Sequence, residues 1–219
     1  MKKIKLALVA LLFPLFTFSQ GGVELVPFAG YMFGGSLNFV EGKLNLDNGM
    51  NYGLSILVPV QTLVDVELNY TRMDSKASFS PYWPYTEPPY NYEYHQTDLA
   101  TNYFHIGAIS KFYTRDTKAQ PFGSFSLGAT WFQPKETSTY PDGLNFGDVW
   151  KFSVNLGLGV KIMFSDRVGI MLRGRLMMPM TFGGGSFYVG TGGSGFALGT
   201  WIAPLQGDFN GGLIIKLGN

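Results

Sequence analysis

Residues 151–180 read KFSVNLGLGVKIMFSDRVGIMLRGRLMMPM. Phe152, Val154, Leu156, Leu158, Val160, Ile162 and Phe164 share one parity, and Lys151, Ser153, Asn155, Gly157, Gly159 and Lys161 take the other. Strict alternation of this length is a β-strand with one apolar face and one polar or small face. Ser165, Asp166 and Arg167 make a tight turn, after which Val168, Ile170, Leu172, Leu176 and Met178 alternate with Gly169, Met171, Arg173, Arg175 and Met177. The two runs predict a long antiparallel hairpin.

The same period recurs along the chain. It predicts strands at 23–34, 50–60, 62–73, 102–113, 121–133 and 207–217, besides the two of the hairpin. The connections fall at 35–49, 61, 74–101, 114–120, 134–149, 165–167 and 181–206, long and short in alternation. That layout predicts an all-β fold: an eight-stranded antiparallel up-and-down transmembrane β-barrel with short periplasmic turns and long extracellular loops. Pro27 removes a ladder donor from the first strand, and a closed barrel has no edge to hide it. It is expected near the periplasmic start of that strand or at a bulge.

Composition agrees. The 219 residues are 46% apolar and 16% aromatic but only 14% charged, with 29 Gly and no Cys. An average soluble domain carries about 25% charged residues, and a water-facing barrel wall would need more charge than this chain has. Beyond the leader no apolar run reaches the length of a membrane helix, and charges at period two exclude a helical span. Residues 1–19 read as a signal peptide, with Lys2, Lys3 and Lys5 before an apolar core and Thr17 and Ser19 before the cut. Residues 20–219 form the barrel domain on this reading. Without the leader the charge balance is slightly acidic, which points away from nucleic acid. The absence of cysteine excludes a disulfide framework and a cysteine metal site.

The charges decide which face meets lipid. Arg173 and Arg175 at the bilayer midplane would cost about 2 to 4 kcal/mol each if they faced lipid, a sum comparable to a whole domain's stability of about 5 to 15 kcal/mol. Both are therefore expected in the lumen. Asp65 and Glu67 share that parity on the third strand, so Asp65, Glu67, Arg173 and Arg175 are expected to form an internal charge cluster, with Lys161, Lys111 and Lys216 nearer the periplasmic rim. Replacing Arg173 with Met is expected to lower the heat-unfolding midpoint; an unchanged midpoint would sink the cluster.

The stretches PFAGYMFGG at 27–35, Pro121 to Gly128, Gly157 and Gly159 with SDRVG at 165–169, and Gly211, Gly212, Leu213, Ile214 resemble the small bacterial outer-membrane barrels of the OmpA/OmpX-like class. The resemblance spans the mature chain and implies a bacterial outer-membrane location and a side-chain-filled interior. The sequence ends Leu217, Gly218, Asn219, without the terminal aromatic common in such barrels, and it implies a barrel without the peptidoglycan-binding domain of full OmpA proteins.

Candidate sites follow. Tyr82, Trp83, Tyr85, Tyr90, Tyr92 and Tyr94 crowd the connection 74–101 among prolines, contact surface suited to a protein or glycan partner. Gly190, Gly192 and Gly195 match G-x-G-x-x-G, but nucleotide binding needs a preceding parallel strand and a following helix. Asn69, Tyr70, Thr71 matches a glycosylation sequon that the lumen parity of Asn69 makes inaccessible. His95 and His105 are the only histidines; Ser124, Ser126 or Ser153 could approach His105 across the lumen, yet no serine has an activating sequence context. Asp47, Glu87 and the histidines have no metal-ligand spacing. No catalytic, metal or cofactor site is predicted. The expected role is non-enzymatic, structural or surface-interacting through the extracellular loops, with outer-membrane lipid as partner. The alternatives are a subunit of a larger outer-membrane complex, a lipid-modifying enzyme using His105 or His95, and a narrow channel.

Overall fold

A computed structural model of the chain describes residues 22–38, 42–81, 95–112, 118–134, 148–190, 193–202 and 205–218. The leader and the six aromatic residues from Tyr82 to Tyr94 lie outside them. The elements are β1 (Val23–Met32), β2 (Ser36–Asn38), β3 (Gly42–Leu46), β4 (Gly49–Gln61), β5 (Val64–Pro81), β6 (His95–Lys111), β7 (Ala119–Pro134), β8 (Val149–Met163), β9 (Val168–Gly190), β10 (Gly193–Ile202) and β11 (Gln206–Leu217).

Antiparallel pairing runs β1–β4–β5–β6–β7–β8–β9–β11 and returns from β11 to β1, so these eight strands close into a barrel. In the closing ladder Val23 lies opposite Leu217 and Met32 opposite Asp208. Both described chain ends and the turns after β4 and β8 therefore sit at one end, called here the termini end. Pro27 is paired with Leu54 of β4. On its other side the register holds from Leu25 with Ile215 to Phe28 with Gly212, so the strand carries the proline without a bulge. The irregularity lies instead between Pro59 and Gln61, next to the β4–β5 turn.

The far end is more ordered than periodicity suggests. The ladder between β5 and β6 continues to Phe79 with His95, well into the connection expected at 74–101. β2 and β3 pair as a small hairpin that extends the sheet along upper β5, and β9 continues to Gly190 to pair with β10. Backbone hydrogen bonds suffice for a ladder where neither face must be apolar, so polar or glycine-rich runs such as Asp74 to Ser80 read as loop on composition alone. The β9–β10 hairpin is antiparallel and the described elements after Gly190 are the strands β10 and β11, which removes the structural context nucleotide binding requires of Gly190 and Gly195.

The two faces divide as the alternation demands. Leu158 (68% exposed), Leu172, Leu127, Ile106 and Phe209 point outward, while Ser153, Asn155, Lys161, Arg173 and Arg175 are buried inside. An apolar outside around a charged inside is the arrangement of a membrane barrel and the inverse of a soluble one. The lumen has little spare room: a Cβ on Gly107 or Gly128 would strike the neighbouring strand's backbone, and one on Gly157 would meet Ser124 Oγ.

Candidate functional site

The lumen is layered along its axis. Toward the termini end, Asp65 takes hydrogen bonds from Lys111 Nζ and Lys161 Nζ, both at 2.8 Å, and Lys161 also reaches Glu24 at 2.8 Å. An apolar group of Val26, Leu57, Ile109, Phe122, Met171 and Ile214, all buried, packs in the same half. In the next layer Arg173 Nη1 donates to Glu67 at 2.5 Å. Beyond it Arg175 is held by Asp208, with Nε to Oδ1 at 2.9 Å and Nη2 to Oδ2 at 2.5 Å. Arg175 Nη1 also donates to Asn69 Oδ1 (3.1 Å) and Thr71 Oγ1 (3.0 Å). Toward the far end, Met32, Met73, Tyr103 and Met177 fill the axis, all at 0% exposure, and the Tyr103 hydroxyl donates to Gln206 Oε1.

The four expected charges are thus all buried in the lumen, but their partners differ from one compact cluster. Glu67 meets Arg173, whereas Asp65 pairs with the two lysines and Arg175 pairs with Asp208. Strand tilt separates Asp65 from Arg175 along the axis, so shared parity does not bring them together. Lys216, expected near that rim, is only partly buried, at the end of the ladder opposite Glu24. Asp208, which the sequence reading did not single out, carried a signal: it shares the polar parity of the last strand with Asn210, opposite in facing to Phe209. Asn51 Nδ2 adds a 2.6 Å bond to it. Phe28 had no polar signature, yet its ring lies 5.5 Å from the Arg173 guanidinium carbon and 5.0 Å from that of Arg175, close enough for cation–π attraction to both. Asn69, the sequon residue, donates to Ser55 Oγ at 2.8 Å inside the barrel.

Glu24, Asp65, Glu67 and Asp208 face Lys111, Lys161, Arg173 and Arg175, so these paired charges sum to zero. Lys151 and Lys216 share the lumen parity toward the two ends, outside these pairs.

His105 Nε2 and Ser153 Oγ are 2.9 Å apart and hydrogen-bonded. Ser153 is fully buried and His105 Nδ1 has no hydrogen-bond partner, so no carboxylate orients the ring as a catalytic base requires. Ser124 and Ser126 line the same wall, but neither hydroxyl is bonded to the histidine. The ring of Tyr103 stacks on His105 at 5.9 Å. His105 and Ser153 make a buried polar contact between β6 and β8. Among the described residues no group of three His, Asp or Glu could hold a metal.

The outer wall changes character toward the far end. Tyr52, Arg72, Asn102, Trp131 and Trp150 are consecutive cross-strand partners on β4, β5, β6, β7 and β8. Apolar side chains lie on their termini side, and Asp74, Lys76 and Asp98 lie beyond them, all exposed. Aromatic residues collect at such a boundary in membrane barrels.

No family model and no curated protein matches the sequence. Among solved structures the chain is similar to the Neisserial surface protein NspA, with a TM-score of 0.55 at 14% identity over 90% of this chain and 98% of that one. It is similar also to the outer membrane protein OprG from Pseudomonas aeruginosa, with a TM-score of 0.54 at 12% identity over 90% of this chain and 97% of that one. The fold is that of the bacterial outer-membrane eight-strand barrels.

Proposed function

We propose that the chain is a non-enzymatic integral outer-membrane barrel whose interior serves stability and whose role is carried by its surface at the far end. The observation that supports this reading is the occlusion of the lumen: Met32, Met73, Tyr103 and Met177 toward one end and the Phe122 group toward the other are buried, with neutralised ion pairs among and between them. About eight strands leave an interior that side chains can fill. A filled interior whose buried charges are paired favours neither a pore nor a substrate cavity, and the buried His105–Ser153 pair is not open to a lipid substrate.

Reconstituted in a planar bilayer, the purified barrel is expected to show no unitary conductance above the protein-free baseline. Reproducible single-channel steps would overturn the closed-lumen reading. Acyl-chain analysis of outer-membrane lipid from cells with and without the protein tests the enzymatic alternative; an acyl change abolished by His105→Ala would replace the proposal.

A further inference from the structure

We propose that the outer wall at the far end carries a binding site for the sugar headgroup of a membrane glycolipid, built on Trp150, Trp131, Asn102 and the Arg72–Asp74 pair.

The strand register makes the ledge. Arg72, Asn102, Trp131 and Trp150 follow one another across four neighbouring strands on the outward face. The Trp131 and Trp150 rings stack in parallel, 5.3 Å apart at 3°. Phe104 lies 6.0 Å from Trp150 at 23° and Tyr70 lies 5.1 Å from Phe104. Trp150 is therefore backed by aromatics while 57% exposed, a braced flat platform at the level where apolar wall gives way to charge. An indole suits this place because it is apolar in body with one polar edge.

Two donors belong to the same row. Asn102 is 2% exposed although it faces outward; its Oδ1 accepts from the Tyr70 hydroxyl at 2.9 Å, and its Nδ2 has no partner. Trp131 Nε1, on its cross-strand neighbour, has none either. Buried N–H groups left unpaired are costly. Both belong to the row at the boundary level, so they are the donors that an acceptor from the surrounding leaflet would satisfy.

Charge selects the class of ligand. Arg72 is the cation level with the row, and Asp74 already holds it, with Nη2 to Oδ1 at 3.0 Å and Nε to Oδ2 at 3.5 Å. The pair carries no net charge, so a phosphate gains little attraction here. A sugar fits better, because each hydroxyl both donates and accepts and this ledge supplies amide and indole donors, carboxylate acceptors and a flat apolar surface together.

The test uses the full mature protein in phosphatidylcholine nanodiscs, with the indole 1H–15N resonances of Trp131 and Trp150 as readout. Increasing the fraction of monogalactosyl diacylglycerol is expected to give a saturable shift of both. Phosphatidylglycerol over the same range is expected to give none. Trp150→Ala, an exposed position whose loss leaves the barrel folded, is expected to raise the half-saturating galactolipid fraction at least tenfold for the Trp131 shift. Asp74→Asn uncovers the Arg72 charge and is expected to make phosphatidylglycerol shift the same resonances. An absent or non-saturable galactolipid response, an equal response to phosphatidylglycerol in the parent protein, an unchanged response in Trp150→Ala, or a phosphatidylglycerol response no greater in Asp74→Asn would each overturn the assignment.

Discussion

Arg175→Met is expected to lower the unfolding free energy of the barrel by about 3 to 5 kcal/mol, the cost of removing one partner from a buried ion pair. Its guanidinium satisfies three acceptor residues, Asp208, Asn69 and Thr71, none of which reaches solvent. The substitution leaves Asp208 as a buried carboxylate with, among the described residues, Asn51 and Asn210 as its side-chain donors. Urea unfolding in detergent micelles, followed by tryptophan fluorescence, measures the loss. Removing the stranded charge as well, in Arg175→Met with Asp208→Leu, is expected to recover most of it, since a buried pair replaced by apolar side chains is often neutral or better. Equal stability of the single and double variants would show that Asp208 is not the reason for the loss. Arg173→Met is expected to cost less than Arg175→Met, because among the described residues the Arg173 guanidinium donates to the side chains of Glu67 and, in a long 3.4 Å contact, Ser55.

Leu172→Arg places a guanidinium on the lipid-facing wall one residue before Arg173, and it is expected to cost about 2 to 4 kcal/mol in a bilayer. Leu172 is 49% exposed on the outward face and pairs with Val160 and Gly211, in the middle of the apolar belt. Refolding into phosphatidylcholine vesicles against a urea gradient reads the difference. Arginine is thus welcome at 173 and 175 and costly at 172, and the contrast isolates facing from residue type. A Leu172→Arg variant as stable in vesicles as the parent would mean that the wall at this level does not meet lipid.

Much of this architecture was legible because lipid and lumen impose opposite chemistry on successive residues. Val154, Leu156 and Leu158 against Ser153, Asn155 and Gly157 could be read without coordinates. The legible part ends where that contrast ends. Beyond Met73 the β5–β6 ladder continues from Asp74 to Phe79, where Asp74, Ser75, Lys76 and Ser78 put polar residues on both parities and alternation carries little signal. In the lumen, parity showed which residues point inward but not which of them meet. Pairing depends on the axial offset between strands, so Arg175 found Asp208 from the adjacent β11 rather than Asp65. The ledge of Arg72, Asn102, Trp131 and Trp150 is a property of four registers at once, and no single segment of sequence displays it.

The ladder that joins β1 to β11 also governs how the molecule comes into being. β1 leaves the ribosome early, yet its partner on that side is the last strand to be made, separated from it by nearly the entire chain. Until β11 arrives, one edge of β1 and one edge of β9 present unsatisfied backbone groups, a template for joining to other chains. Long sequence separation also makes such a closure slow. The same seam that leaves the finished cylinder without a margin therefore leaves the newborn polypeptide with two open edges until its last described strand is in place.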